Sequence, residues 1–179
     1  MAYLPLQQLT SLAFIDPSNA MLRQAWKKWH ALYPERSTVS PQDLRLRRAQ
    51  RVDEDELLVT FEAVSSEALP KEERRYDTIL QTFALCSTDK PVEVLQSLKA
   101  HLRPGGRLLL LEHGQSRYRW LNRVLDTYAG KHEEAWGCTW NKDIGGLVEQ
   151  AGLHVESIKR YHLGTTWMIV ATASEKKTS

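Results

Sequence analysis

His101-Leu102-Arg103-Pro104-Gly105-Gly106-Arg107-Leu108-Leu109-Leu110-Leu111-Glu112-His113 is the stretch whose reading decides the fold. Pro-Gly-Gly is a sharp break in the chain. The four leucines that follow at once read as a strand, ended by Glu112, His113 and Gly114. Just upstream, Val92, Leu95, Leu98 and Leu102 recur at helical spacing, with Ser87 or Thr88 placed to cap that helix. Before it, residues 76–82 (YDTILQT) read as a strand that exits into Phe83-Ala84-Leu85-Cys86-Ser87. The unit is therefore strand, helix, glycine turn, strand, which is the unit of a parallel sheet.

The same alternation extends outward. Residues 12–15 (LAFI) form a short apolar run, the pattern of a strand buried on both faces, and Asp16 ends it. Ser18 is a good N-cap for the helix marked by Ala20, Met21, Leu22, Ala25, Trp26 and Trp29, which stops before Pro34. Residues 34–56 are polar and read as a loop or a solvated helix face. They hold Arg45, Arg47, Arg48 and Arg51, but the acidic run at 53–56 follows immediately and argues against nucleic acid. Residues 57–61 are a second strand, 62–70 its exit loop, and 71–75 a charged turn.

Downstream, Trp120, Leu121, Val124, Leu125 and Tyr128 mark a helix, followed by the aromatic stretch WGCTWN at 136–141. A helix at 143–151 ends at Gly152. Strands at 153–161 and 167–172 flank a turn at 164–166, and 174–179 is a polar tail. The expected fold is a doubly wound α/β sheet, mostly parallel, whose final strand inserts antiparallel, spanning residues 1–173. Ligands of such sheets sit beyond the carboxyl ends of the strands. That rule selects Asp16, residues 62–67, residues 81–83 and residues 112–114.

Composition narrows the class. The chain has 179 residues, 42% hydrophobic and 26% charged, so it can bury a sizeable core. A net charge of +2 is too balanced to favour nucleic acid or an anionic membrane. No apolar run approaches the ~20 residues needed to span a bilayer. Cys86 and Cys138 do not have metal-type spacing and read as buried thiols in a reducing compartment, so no metal is expected.

The run at 101–113 resembles the motif of class I S-adenosylmethionine (SAM)-dependent methyltransferases in which a helix ends in Pro-Gly-Gly and feeds the fifth strand. AFIDPSNAML (13–22) is similar to the second strand with its ribose-binding acid, SSEALP (65–70) to the adenine loop, and YDTILQTFALCS (76–87) to the fourth strand and its exit. The four motifs stand in family order and cover roughly residues 10–173. The stretch from His113 through WGCTWN resembles a narrower group, the fungal mitochondrial methyltransferase-like proteins, and more distantly the methyltransferase-like-7 type.

The resemblance implies a Rossmann-like fold, SAM as cofactor, an unknown methyl acceptor and a mitochondrial location, with the cytoplasm as the alternative. It implies that Asp16 accepts hydrogen bonds from the ribose hydroxyls, the other reading being a helix cap. Ser65 and Ser66 take the adenine-loop positions, although many relatives carry an acid at the first. Gln81 and Thr82 would floor the methionine part, the other reading being a polar strand end. His113 is the candidate general base, since its ordinary pKa suits neutral pH, or else a half-buried structural histidine. Trp136, Trp140 and Asn141 would line an acceptor pocket, or else belong to the core; His132 and Asp143 are weaker candidates.

One part of the family pattern is not found. No glycine precedes Gly105, so the first strand and Gly-rich loop have no counterpart, and the chain reads as N-terminally truncated. The expected consequences are weak or absent SAM binding, impaired or lost activity, and open apolar sheet faces that call for a protein partner. The alternative function is a non-catalytic assembly or scaffold protein. A nicotinamide-dependent oxidoreductase shares the acid-tipped strand, but the Pro-Gly-Gly–strand–Glu-His run and the late strand pair disfavour it.

Overall fold

The computed structural model describes residues 6–34, 57–69 and 75–173. The expected readings of 34–56, of the charged turn and of the tail otherwise fall outside them. The chain divides into two compact units, Met1–Leu69 and Pro70–Ser179.

The first unit is built on two parallel strands, β1 (Ser11–Ile15) and β2 (Leu58–Glu62), paired from Ser11 opposite Leu58 to Ile15 opposite Glu62. Helix α1 (Asn19–Leu32) follows β1. Ser18 caps it as expected, its side chain accepting from the Met21 N–H at 3.4 Å. Leu22, Trp29, Val59 and Phe61 form the buried cluster, and Phe14 stacks on Phe61 at 4.8 Å between ring centroids. β1 is half-buried rather than buried on both faces, with Leu12 to Ile15 all partly exposed. The reason is that it pairs only with β2 among the described residues.

The second unit carries a four-stranded sheet: β3 (Tyr76–Thr82), β4 (Leu102–His113), β5 (His154–Tyr161) and β6 (Thr166–Thr172), in the order β3-β4-β6-β5. β3 and β4 are parallel, joined through α2 (Pro91–Ala100). β6 inserts antiparallel between β4 and β5, the arrangement read from the late strand pair. α3 (Arg119–Trp136) and α4 (Ile144–Gln150) lie between β4 and β5 in sequence. The core cluster joins Leu95 and Leu98 of α2, Leu108 and Leu110 of β4, Ile144 and Val148 of α4, and Trp167 and Ile169 of β6.

Two boundaries differ from expectation, each for a local reason. β4 does not start at Leu108 but runs from Leu102 through the Pro-Gly-Gly segment. The ladder with β3 steps from the Tyr76–Leu102 pair to the Thr78–Arg107 pair, a bulge that absorbs the extra residues of β4. Gly106 is required there, because a Cβ would stand 2.9 Å from the carbonyl oxygens of Arg103 and Tyr76. The cap of α2 is Lys90, not Ser87 or Thr88, because Pro91 sets the first turn. The Thr88 hydroxyl accepts from the Lys90 N–H at 3.2 Å, and Ser87 closes a 3-10 turn at Leu85–Ser87.

Candidate functional site

In the first unit, Asp16 sits at the carboxyl tip of β1, where its N–H bonds the Glu62 carbonyl at 3.2 Å. Its Oδ1 accepts from the Ser18 N–H at 2.7 Å. One carboxylate oxygen thus fixes the strand-to-helix turn, while the N-cap of α1 is Ser18 rather than Asp16. Ser65 and Ser66 follow β2 on the corresponding side of the ladder, Ser65 preceding the 3-10 turn at Ser66–Ala68 without capping it by its side chain. The acid and the serine loop therefore lie beyond the carboxyl ends of two adjacent parallel strands.

In the second unit, alternation along β4 sorts its last residues. Leu108, Leu110 and Glu112 are buried against the core, whereas Leu109, Leu111 and His113 are half-buried on the other face. Glu112 is fully buried, and its carboxylate is surrounded by donors. Oε1 accepts from the Ala84 N–H at 3.1 Å and from Gln81 Nε2 at 3.3 Å, and Oε2 accepts from the Leu85 N–H at 3.1 Å. Burial pushes its pKa up, and the hydrogen bonds, that of Ala84 foremost, oppose the rise. Glu112 thus fastens the segment leaving β3. Gln81, opposite Leu110, has its amide nitrogen engaged in that clamp, and Thr82 is opposite Leu111 at the strand tip.

His113 packs against Phe83, with ring centroids 4.5 Å apart. Phe83 holds a φ of 52°, a left-handed conformation costly for an aromatic residue and found where function or tight geometry demands it. Burial, then the neighbouring His132, lowers the His113 pKa, which favours the neutral imidazole.

The aromatic stretch turns out to be a braced loop. Trp136 ends α3 and is 77% exposed, and Gly137 (φ 64°) terminates the helix. Trp140 donates its indole N–H to the Leu125 carbonyl on α3 at 3.1 Å and stacks on His132 at 3.8 Å. Asn141 donates to Asp126 at 2.8 Å. Asp143 is the N-cap of α4, accepting from the Gly146 N–H at 3.2 Å. On its other side the loop is bound to the turn after β3. Thr139 gives both its N–H (2.8 Å) and its hydroxyl (2.9 Å) to the Cys86 carbonyl. Lys142 Nζ donates to the carbonyls of Leu85 (2.9 Å) and Thr88 (2.6 Å). Thr88, Pro91, Thr139, Lys142, Asp143 and Leu147 line an open groove of about 470 Å³, whereas Trp136, Trp140 and Asn141 are not part of its wall.

The bracing brings together two cysteines that the sequence spacing gave no reason to pair. Cys138 Sγ lies 3.6 Å from His113 Nδ1, and the ligand atoms of Cys86, His113 and Cys138 all fall within 4.8 Å of one another. Burial, then the Cys86 thiol beside it, pushes the Cys138 thiol up to about 12. The sequence signals that hold this cluster, Thr139 and Lys142, are ordinary polar residues whose role appears only once the loop is folded.

The strand order, the acid-tipped β1 and the antiparallel β6 define a Rossmann-like fold of the class I methyltransferase type. Two solved structures share that fold. An O-methyltransferase family protein from Burkholderia thailandensis matches with a TM-score of 0.58 at 14% identity, over 98% of this chain and 55% of that one. LepI, solved in complex with SAM, matches with a TM-score of 0.53 at 11% identity, over 95% of this chain and 44% of that one. In sequence, the mitochondrial methyltransferase OMS1 of Saccharomyces cerevisiae is 36% identical over 172 residues, 94% of this chain. The match spans 35% of that relative, so the chain corresponds to about a third of its length. A family model described as a methyltransferase domain matches residues 3–158, and the chain belongs to that family.

Proposed function

We propose that the chain is the catalytic-fold portion of a SAM-dependent methyltransferase of mitochondria, and that alone it binds SAM weakly. Asp16 supplies the ribose acceptor, Ser65 and Ser66 the adenine loop, and Gln81 and Thr82 the end that takes the methionine part. The acceptor, of unassigned class, approaches His113 and the stretch Trp136, Trp140 and Asn141. The observation that carries the reading is the tethered Asp16 carboxylate at the tip of a parallel strand, one oxygen already engaged by the Ser18 N–H. The mitochondrial location is supported by the name of the yeast relative. Weak binding is supported by the sequence: no glycine precedes Gly105, and glycine is the residue that most readily lets a turn bring its backbone close to the methionine part of SAM. SAM brings an already activated methyl group, so the residues' work is chiefly positioning, with His113 holding the acceptor's proton if the acceptor is a hydroxyl or thiol.

A second reading, a non-catalytic scaffold, is favoured by the apolar residues left open on the sheet and on α3. Leu80 is 64% exposed and Trp120 58% exposed, a surface suited to a protein partner.

Calorimetric titration with S-adenosylhomocysteine separates the two. The chain alone should bind more weakly than micromolar. A chimera carrying the yeast relative's segment that precedes the matched region should gain binding, and Asp16→Ala should remove it. Micromolar binding by the chain alone would overturn the weak-binding claim. A folded chimera that binds nothing would overturn the cofactor claim and leave the scaffold reading.

A further inference from the structure

We propose that Cys86, His113 and Cys138 form a binding site for a zinc-type divalent cation, with the fourth coordination position open. The proposal uses the second unit alone and does not depend on the cofactor reading above.

The donors come from three separate places: the 3-10 turn after β3, the tip of β4 and the loop after α3. Two thiol sulfurs and one imidazole nitrogen are the donor set that borderline-soft Zn²⁺ prefers. With Zn–S near 2.3 Å and Zn–N near 2.0–2.1 Å, a tetrahedral ion sets an S···N edge of about 3.6 Å and an S···S edge of about 3.8 Å. The Cys138 Sγ to His113 Nδ1 distance is 3.6 Å. Cys86 Sγ lies within 4.8 Å of both other donors, so closing the triangle asks for a shift of at most about 1 Å, within reach of one χ1 adjustment. As it stands, that thiol donates to the Phe83 carbonyl at 3.4 Å and sits 3.7 Å from Ser87 Oγ. Neither contact is a strong partner that binding would have to break.

The surroundings suit a metal site. Cys86 and Cys138 are buried, at 1% and 8% exposure, while His113 is half-buried and leaves a side for entry. The frame is rigid before any ion arrives, since Thr139 and Lys142 tie the Cys138 loop to the Cys86 turn through four hydrogen bonds. The cluster's donors, two thiols and one imidazole, differ from the four cysteines that iron–sulfur clusters usually take.

The step balances simply. Two S–H bonds break and both protons go to solvent. Two Zn–S bonds and one bond from the Nδ1 lone pair of neutral His113 form, and the centre is left without net charge. Three protein ligands leave the fourth position to water or to a soft donor atom of another molecule.

Cobalt(II), a spectroscopic stand-in for zinc, tests the site. Titrated into the reduced full chain, one equivalent should give a thiolate-to-metal charge-transfer band with tetrahedral d–d absorption. Zn²⁺ should displace it, and direct Zn²⁺ addition in unbuffered solution should release two protons per ion. Cys86→Ser, Cys138→Ser and His113→Gln should each lose or sharply weaken the band, while His154→Gln, on β5, should keep it. Circular dichroism checks each variant, and if Cys86→Ser does not fold, the other two decide. The proposal is overturned if the folded, reduced chain shows no such band. It is equally overturned if the band survives in Cys138→Ser and His113→Gln, or if the two cysteines close into a disulfide that equimolar Zn²⁺ does not slow.

Discussion

The buried Glu112 carboxylate receives two backbone N–H groups and one side-chain amide at the turn leaving β3, from Leu85 inside the core and from Ala84 and Gln81 at its edge. A glutamine there has one acceptor oxygen and would turn an NH₂ toward at least one of those donors. Glu112→Gln should therefore cost about 1–3 kcal/mol, the usual penalty for an unsatisfied buried polar group. A urea unfolding midpoint equal to that of the parent would refute this role. Gly114, two residues on, is a steric necessity. A Cβ would stand 2.6 Å from Ile144 Cγ1 and 2.8 Å from both the Lys142 carbonyl oxygen and Trp167 Nε1. Gly114→Ala should cost about 1–3 kcal/mol through overpacking. It should also perturb Trp167, whose indole N–H bonds the Gln115 carbonyl at 2.9 Å, so near-ultraviolet dichroism and the melting temperature should change together.

At the level of elements, the loop between α3 and α4 is held by side chains more than by secondary structure. Lys142→Met deletes the bonds to the Leu85 and Thr88 carbonyls and should raise amide exchange across residues 137–142 while leaving β4 and β6 protected. Unchanged exchange in that loop would show that Thr139 alone suffices. Most elements themselves were legible in the sequence. β3 has the bounds read for it at residues 76–82, and Ser18 caps α1, because these features are set by neighbours along the chain. The extra length of β4 was not legible, since a bulge is defined by what the partner strand does. The α2 cap was misplaced because Pro91 outranks a hydroxyl in fixing the first turn. The positions of Asp16, Gln81 and His113 at strand ends were legible too, because a strand's end is set by the local run of residues. The meeting of Cys86 with Cys138 was hidden, because Thr139 and Lys142 bring them together across a tertiary contact that no local pattern encodes.

For the molecule as a whole, the two units differ in how much holds them. Among the described residues, the first has a two-stranded ladder over a cluster of four buried residues. The second has four strands, with β4 paired on both edges, over a much larger cluster. Two strands are marginal without further packing. In urea, amides of β1 and β2 should thus lose protection before those of β4 and β6, read by hydrogen exchange. Simultaneous loss would mean the chain unfolds as one unit. The Pro-Gly-Gly bulge has a consequence of its own. Between its two flanking pairs the ladder advances two residues along β3 and five along β4, which is slack in the register. A residue gained or lost within that slack leaves Leu108 opposite Ile79. One gained or lost between Arg107 and Glu112 inverts the parity of the strand. It would send the imidazole toward the backbone donors and the carboxylate toward the thiols, so tolerance to insertion should change abruptly at Arg107.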